Sequence, residues 1–439
     1  MYTRPGYEPV AAELSRWRPA LGRGGGAYCA TIDGQVVVDV WVGQASREVP
    51  WRRDTAAVLM SATKGLAALC IQLMEDRQLL DLDAPIANLW PAFAANGKER
   101  ITTRQVLAHS AGVLGDPKAW ELLHPDGRGW TDLDGVADAL AAATPVWEPG
   151  TRSGYHALSF GWLLHGLTRS LTGGSLGAFF ADHVARPLDA QAWIGFDDDA
   201  APHVAEVVKP DPRAALGYVA RQGLRAVELA RQPQTHTGLA FAGDGTTSAV
   251  EDIDLLLNNP QVQKAGLAFG GGVGTARGLA RVFAALACDG TVDGVRLLSP
   301  ESVERWATPQ SAEVDVLSVE LAGNFRIGRP APTPRTLGYL GNGGIPGLPQ
   351  RFGPFAHAFG AEGLGGQYVF CDRPNRLAVG FVRSHLAYLD VLQGRLTALL
   401  YECARQQGDL LVRPSPPHPV ARAVGGPLLR LLLGRAART

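Results

Sequence analysis

Residues 59–65 read Leu-Met-Ser-Ala-Thr-Lys-Gly, with Ser61 three positions before Lys64. A serine hydroxyl is a weak nucleophile at neutral pH and gains reactivity from a base within hydrogen-bond reach. On a helix, positions i and i+3 share a face, so Lys64 can stand beside Ser61. Lys64 can accept a proton only if its pKa falls, which burial and a nearby positive or hydrogen-bonding group would achieve. A serine in the first turn of a helix also gains from local backbone N–H groups, its own included, which can stabilise an oxyanion. The same spacing equally describes a helix start that Ser61 caps while Lys64 snorkels. Two features favour chemistry. The chain has five lysines (Lys64, Lys98, Lys118, Lys209, Lys264), and only Lys64 has a serine three residues before it. Its neighbours Ala62, Thr63, Gly65, Leu66 and Ala67 are small or apolar, a setting in which an amine is buried.

The elements that would position this pair follow from periodicity. Apolar residues recur with helical spacing from about Ser61 to Leu79. "GAYCATIDGQVVVDVWVGQA" alternates around Asp33-Gly34, the signal of a hairpin, and "GGQYVFCDRPNRLAVGFVRS" predicts a second around Pro374-Asn375. Between them, from about 80 to 330, the chain reads as helices and long loops. Strand character at both ends predicts an α/β (α+β) fold: one antiparallel sheet built from both chain ends, flanked by helices, with a large, mostly helical insertion. The expected division is 1–80 with 331–412 for the sheet domain and 81–330 for the insertion. Residues 413–439 form a Pro-rich linker and a basic amphipathic tail, read as a weak membrane or protein contact or, more plainly, as a tail packed on the body or fraying from it.

Composition narrows the function classes. The 439 residues are 46% hydrophobic and 19% charged with a net charge of −1, a balance that argues against nucleic acid as a partner. The N-terminus shows no signal peptide and no apolar run reaches about 18 residues, so a cytoplasmic protein without a transmembrane segment is expected. Cys29, Cys70, Cys288, Cys371 and Cys403 are odd in number and scattered, which fits reduced thiols rather than disulfides or a zinc site.

In order along the chain, "PWRRDTAAVLMSATKG", "TTRQVLAHSAGV", "WEPGTRSGYHALSFGWLLHGL", "NNPQVQKAGLAFGGGVGTARGLARVFAAL" and "FGAEGLGGQYVFCDRPNRLAVGFV" give a pattern that resembles the serine hydrolases related to class C β-lactamases. The esterase branch, with its penicillin-binding-protein-like relatives, fits better than true β-lactamases. The resemblance covers about residues 8 to 405 and implies a Ser61 acyl-enzyme that needs no metal or cofactor. It carries the base role onto Tyr155 of "GYHAL" jointly with Lys64, and the oxyanion-hole N–H groups onto Ser61 and Leu364. The third motif falls on Ala361, Glu362 and Gly363, where Ala361 replaces the usual Lys or His. A cation for a substrate carboxylate is then missing. Ala157 stands where asparagine often does, which disfavours β-lactam hydrolysis. Gly363, Gly365 and Gly366 let a backbone approach an acyl group closely.

The expected substrate is a small ester or amide, with water or a second acyl acceptor completing the turnover. Carboxylesterase, acyltransferase and non-catalytic binder share these residues and stay open. Trp120 and Trp130 are expected at the pocket rim, pointing to an apolar acyl or aryl group. Ala361, Glu362, Gly363, Gly365 and His156 are expected as further substrate contacts. His109 reads as a loop residue bonding backbone, and His385 has no assignable part. "GGSLG" at 173–177 imitates a nucleophile elbow but follows a helical segment, so Ser175 reads as an N-cap.

Overall fold

A computed structural model describes residues 1–412 apart from 19–21, 125, 210–225, 247, 250, 311–312, 326–331, 343–350 and 388–391; the expected tail at 413–439 lies outside the described residues. Seven strands form one antiparallel sheet: β1 (Tyr2–Thr3), β2 (Gly25–Ile32), β3 (Gln35–Gly43), β4 (Leu340–Gly341), β5 (Phe359–Glu362), β6 (Tyr368–Asp372) and β7 (Leu377–Arg383). Their order is β1-β3-β2-β7-β6-β5-β4, so the two chain ends meet at the β2–β7 pair, with Ile32 opposite Leu377 and Gly26 opposite Arg383. The first expected hairpin turns at Asp33 and Gly34, both at positive φ (+52° and +76°), which suits the twist of β2 and β3. The second turns through Arg373–Asn375 and Arg376.

Alternation along each strand splits the core in two. Tyr28, Tyr368 and Phe370 face α1 (Glu8–Arg16) and the C-terminal helix Leu392–Gln407, packing with Val10, Leu14 and Leu396. Ala27, Cys29, Val369 and Cys371 face the other way, into the core shared with α2 (Thr63–Asp76). Every residue of α2 from Thr63 to Met74 is buried, as expected of a helix apolar nearly all round. α3 (Ser159–Thr172) is central to the helical lobe and ends at Gly173, φ +75°.

α4 (Ala276–Ala287) falls inside the expected insertion of 81–330, yet it lies on the sheet against β7 and β2. A Cβ on Gly380 of β7 would sit 2.9 Å from Ala280 N, so only glycine permits this approach. The preceding strand Val273–Gly274 pairs with Ala57–Val58. That pair belongs to a separate three-stranded sheet, and the helix that follows it packs on the seven-stranded sheet. Helical periodicity marks α4 as a helix but not the layer on which it packs. Ser175 caps the helix Leu176–Phe180 by accepting from Ala178 N at 3.0 Å, as expected, and all five cysteines are free and buried. Among the described residues no helix is long and apolar enough to cross a membrane.

Candidate active site

Strand Ala57–Val58 carries the chain to a turn in which Met60 adopts φ +51°, uncommon for a bulky side chain. Met60–Ala62 then makes one 3-10 turn that runs directly into α2. The Thr63 hydroxyl donates to Met60 O at 2.7 Å and accepts from Gly272 N at 3.1 Å, which bolts the turn to the glycine-rich segment 270–274. Ser61 is thereby presented half-buried at the head of a buried helix.

Lys64 Nζ lies 3.2 Å from Ser61 Oγ and donates to Phe269 O at 2.7 Å. Lys64 is 4% exposed. Burial first, and the Arg335 charge second, hold its pKa well below the ordinary lysine value. With the amine neutral, an N–H can keep the Phe269 carbonyl while the lone pair turns to the Ser61 hydroxyl. Tyr155 lies beside Ser61, near enough for Ser61 to lower its phenol, and its ring centroid is 4.9 Å from Lys64 Nζ. Burial pushes the Tyr155 phenol up to about 12 against the lowering effects of Ser61 and Arg335, so it stays protonated at neutral pH.

The segment "LAHSAGV" is the scaffold of the Tyr155 loop. His109, at φ +59°, accepts Gly154 N on its carbonyl at 2.9 Å and His156 N on Nδ1 at 3.1 Å. Its ring lies 5.1 Å from that of Tyr155. Ser159 at the head of α3 donates to Val113 O at 2.6 Å. His109 is structural, as expected, but its ring accepts a backbone N–H where a bond to a backbone carbonyl was expected.

The end of β5 closes the other side. A Cβ on Gly363 would press on the Leu59 carbonyl and come 2.9 Å from Met60 Cβ, so the chain passes hard against the residues before Ser61. Gly363 N donates to Gln367 O at 2.7 Å, and Gln367 Nε2 donates to Val58 O and Arg383 O, both at 3.1 Å. Gly365 and Gly366 sit at φ +92° and +105°, which few other residues tolerate. Neither Ser61 N nor Leu364 N has an acceptor among the described residues, and the Leu364 side chain is exposed. Among the described residues no cluster of His, Cys, Asp or Glu could hold a metal ion.

Residues 14–394 match the family described as Beta-lactamase. The chain belongs to the β-lactamase family. It is 34% identical over 388 residues to the "Esterase/beta-lactamase LipL" of Mycobacterium tuberculosis, covering 87% of this chain and 82% of that protein. Among solved structures, a family VIII carboxylesterase superposes with a TM-score of 0.75 at 28% identity, over 92% of this chain and 99% of that one. A penicillin-binding-protein homologue from Caulobacter crescentus gives the same score and coverage at 26% identity.

Against this β-lactamase-family frame, the expected substrate contacts divide. Ser61, Lys64 and Tyr155 converge, and Gly363 packs against Leu59 and Met60 just before Ser61. Ala361 is buried with its methyl against α2, where a Cβ on Gly65 would lie 2.9 Å away. Glu362, one residue on, points to the opposite face, paired with Arg351 at 3.0 Å and accepting from Gln393 at 2.9 Å. Strand alternation accordingly turns Glu362 away from the pocket. His156 is fully buried between His109 and Trp147, its Nδ1 bonded to Gly154 O at 2.7 Å, so it props the loop rather than meeting solvent. Trp120 and Trp130 are buried, their indole N–H groups given to Leu239 O and His124 O. They line a cavity of about 470 Å³ to which Ser61, Lys64 and Tyr155 do not contribute. Ala157 is buried in an apolar cluster with Trp147 and Leu317. Sequence reasoning did not find the Phe269 carbonyl, Gln367, or the buried Arg335–Asp315 pair; a polar Gln367 beginning an apolar strand was the one local signal.

Proposed function

We propose that this β-lactamase-family chain is a serine carboxylesterase-type hydrolase acting through a Ser61 acyl-enzyme. The observation that carries the reading is Lys64: a buried amine, held below its usual pKa, 3.2 Å from the Ser61 hydroxyl. In the first step Ser61 Oγ bonds to the ester carbonyl carbon, its proton passes to Lys64, and the oxyanion is held by the N–H groups of Ser61 and Leu364. Tyr155, still a phenol, bonds the serine oxygen and can hand a proton to the departing alkoxide while Lys64 restores it. Water then attacks the acyl-enzyme by the same groups in reverse. The names of LipL and of the family VIII carboxylesterase support ester chemistry. Ala361 and Ala157, both packed into the protein, offer neither the cation nor the amide that the resemblance assigns to those positions, and this supports esters over β-lactams.

Intact-mass measurement after incubation with a fluorophosphonate and with a panel of acyl esters tests this. One adduct on the wild type and none on Ser61→Ala is expected. An unlabelled wild type, or equal labelling of both, refutes the assignment, and cephalosporin turnover matching ester turnover would refute the preference for esters. Adding an alcohol acceptor measures how much of the acyl group goes to transfer instead of hydrolysis.

A further inference from the structure

Arg335 belongs to no motif in the sequence, yet it stands beside the proposed base. It is 6% exposed and Asp315 is 3% exposed, and Arg335 Nη2 donates to Asp315 Oδ2 at 2.6 Å. Asp315 Oδ1 accepts Leu317 N at 2.9 Å, and Val316 N donates to Ser153 O at 2.9 Å, so the pair is fastened to the loop that carries Tyr155. Arg335 Cζ lies 5.5 Å from the centroid of the Tyr155 ring, the same ring that Lys64 Nζ approaches to 4.9 Å. Arg335 Nε is buried without an acceptor among the described residues. A buried guanidinium with an unanswered N–H is a costly way to stabilise a fold that apolar side chains could fill. The other titratable groups packed around the ring are Lys64 from α2, His109 and His156 from their loops, and Asp315.

We propose that Arg335, braced by Asp315, is a positioning residue for the base: its buried charge disfavours a second positive charge on Lys64 and so leaves the amine free to take the Ser61 proton. The electrostatics agree, since Arg335 is the charge that, after burial, lowers Lys64, and it also lowers Tyr155 against the opposing Asp315. This inference rests on the serine-esterase reading.

The test is kcat/KM for p-nitrophenyl acetate against pH on unlabelled enzyme, with fluorophosphonate labelling of a separate wild-type sample to confirm Ser61. Removing the positive charge lets Lys64 hold its proton to higher pH. Arg335→Gln is expected to move the acidic limb up by about one pH unit, a tenfold loss at a pH on that limb with the plateau kept. Arg335→Lys keeps the charge and is expected to bring the limb back toward the wild-type position. Asp315→Asn removes the opposing charge and should move the limb down. Structural damage would lower the whole profile without moving its midpoint, and could not move it in opposite directions for the two partners. Unmoved midpoints in Arg335→Gln and Asp315→Asn overturn the proposal. If Arg335→Gln does not fold, Asp315→Asn decides alone: a downward shift supports the proposal and an unmoved limb overturns it. A wild type that takes no label overturns the esterase reading itself, whereas a labelled wild type with unmoved limbs overturns only the role of Arg335.

Discussion

Replacing Gly363 by alanine tests how closely the end of β5 must approach the nucleophile. Gly363 is not at positive φ, so alanine meets no backbone penalty there, and the added methyl is the whole perturbation. That methyl would lie 2.9 Å from Met60 Cβ, where ordinary contact begins at 3.4 Å, and nearer still to the Leu59 carbonyl. Strand end and nucleophile turn must separate by about 1 Å, the shortfall at the Leu59 carbonyl. The separation falls between the two N–H groups proposed to hold the oxyanion, because Met60 precedes Ser61 and Leu364 follows Gly363. Losing one oxyanion donor costs on the order of 10²–10³ in kcat, and a misplacement of about 1 Å costs roughly 10². Gly363→Ala is therefore expected to lower kcat roughly 10- to 100-fold with little change in KM, since the lost interaction exists mainly in the transition state. Overpacking should cost about 1–3 kcal/mol of stability, visible as a thermal midpoint a few degrees lower. Steady-state hydrolysis of p-nitrophenyl acetate measures the first effect and thermal unfolding the second. Gly174→Ala is the control, because a Cβ there would have only the Thr172 hydroxyl near it, at 3.8 Å. A folded Gly363→Ala enzyme with kcat within about threefold of wild type would refute the placement of the oxyanion between Ser61 and Leu364.

Two further outcomes concern stability. Burial lowers the pKa of His156 from 6.5 to about 4, so the unfolded chain takes the proton first as pH falls. Its contribution is complete above pH 6.5 and is lost toward pH 4, by about 3 kcal/mol at the low end. His156→Gln should flatten the decline of the thermal midpoint between pH 7 and 4.5, and an unchanged slope would remove His156 as the cause. Asp372, fully buried, accepts from Tyr401 Oη and Asn375 Nδ2, both at 2.8 Å, and from His357 Nε2 at 3.0 Å. Asp372→Ala leaves these groups unanswered and should cost roughly 3–5 kcal/mol, and a midpoint within about one degree of wild type would contradict that.

What could be read from the residues was local or alternating. Asp33-Gly34 needs only its own φ angles to make a hairpin, Ser175 only its own hydroxyl to cap a helix, and Ser61 and Lys64 only one helical turn to meet. Tyr155, Gly363 and Leu364 came from resemblance, because they lie some 90 and 300 positions beyond Ser61 and no periodicity joins them. The same motif match was too coarse to tell Ala361 from Glu362. It placed both at the pocket, whereas the pleat turns Ala361 to α2 and Glu362 to Arg351. Lys64 shows why the remainder was hidden. Its small neighbours on α2 predict dryness, which is half of the condition for a neutral amine. The other half is supplied by Phe269 O, 205 positions away, and by Arg335, which the turns between α4 and β4 bring against Tyr155. The sheet that joins the two chain ends decides that meeting, and no single segment encodes it. A serine and a lysine at helical spacing therefore mark where catalysis can be built, while the proton inventory that makes it work is set by residues whose own sequence context looks ordinary.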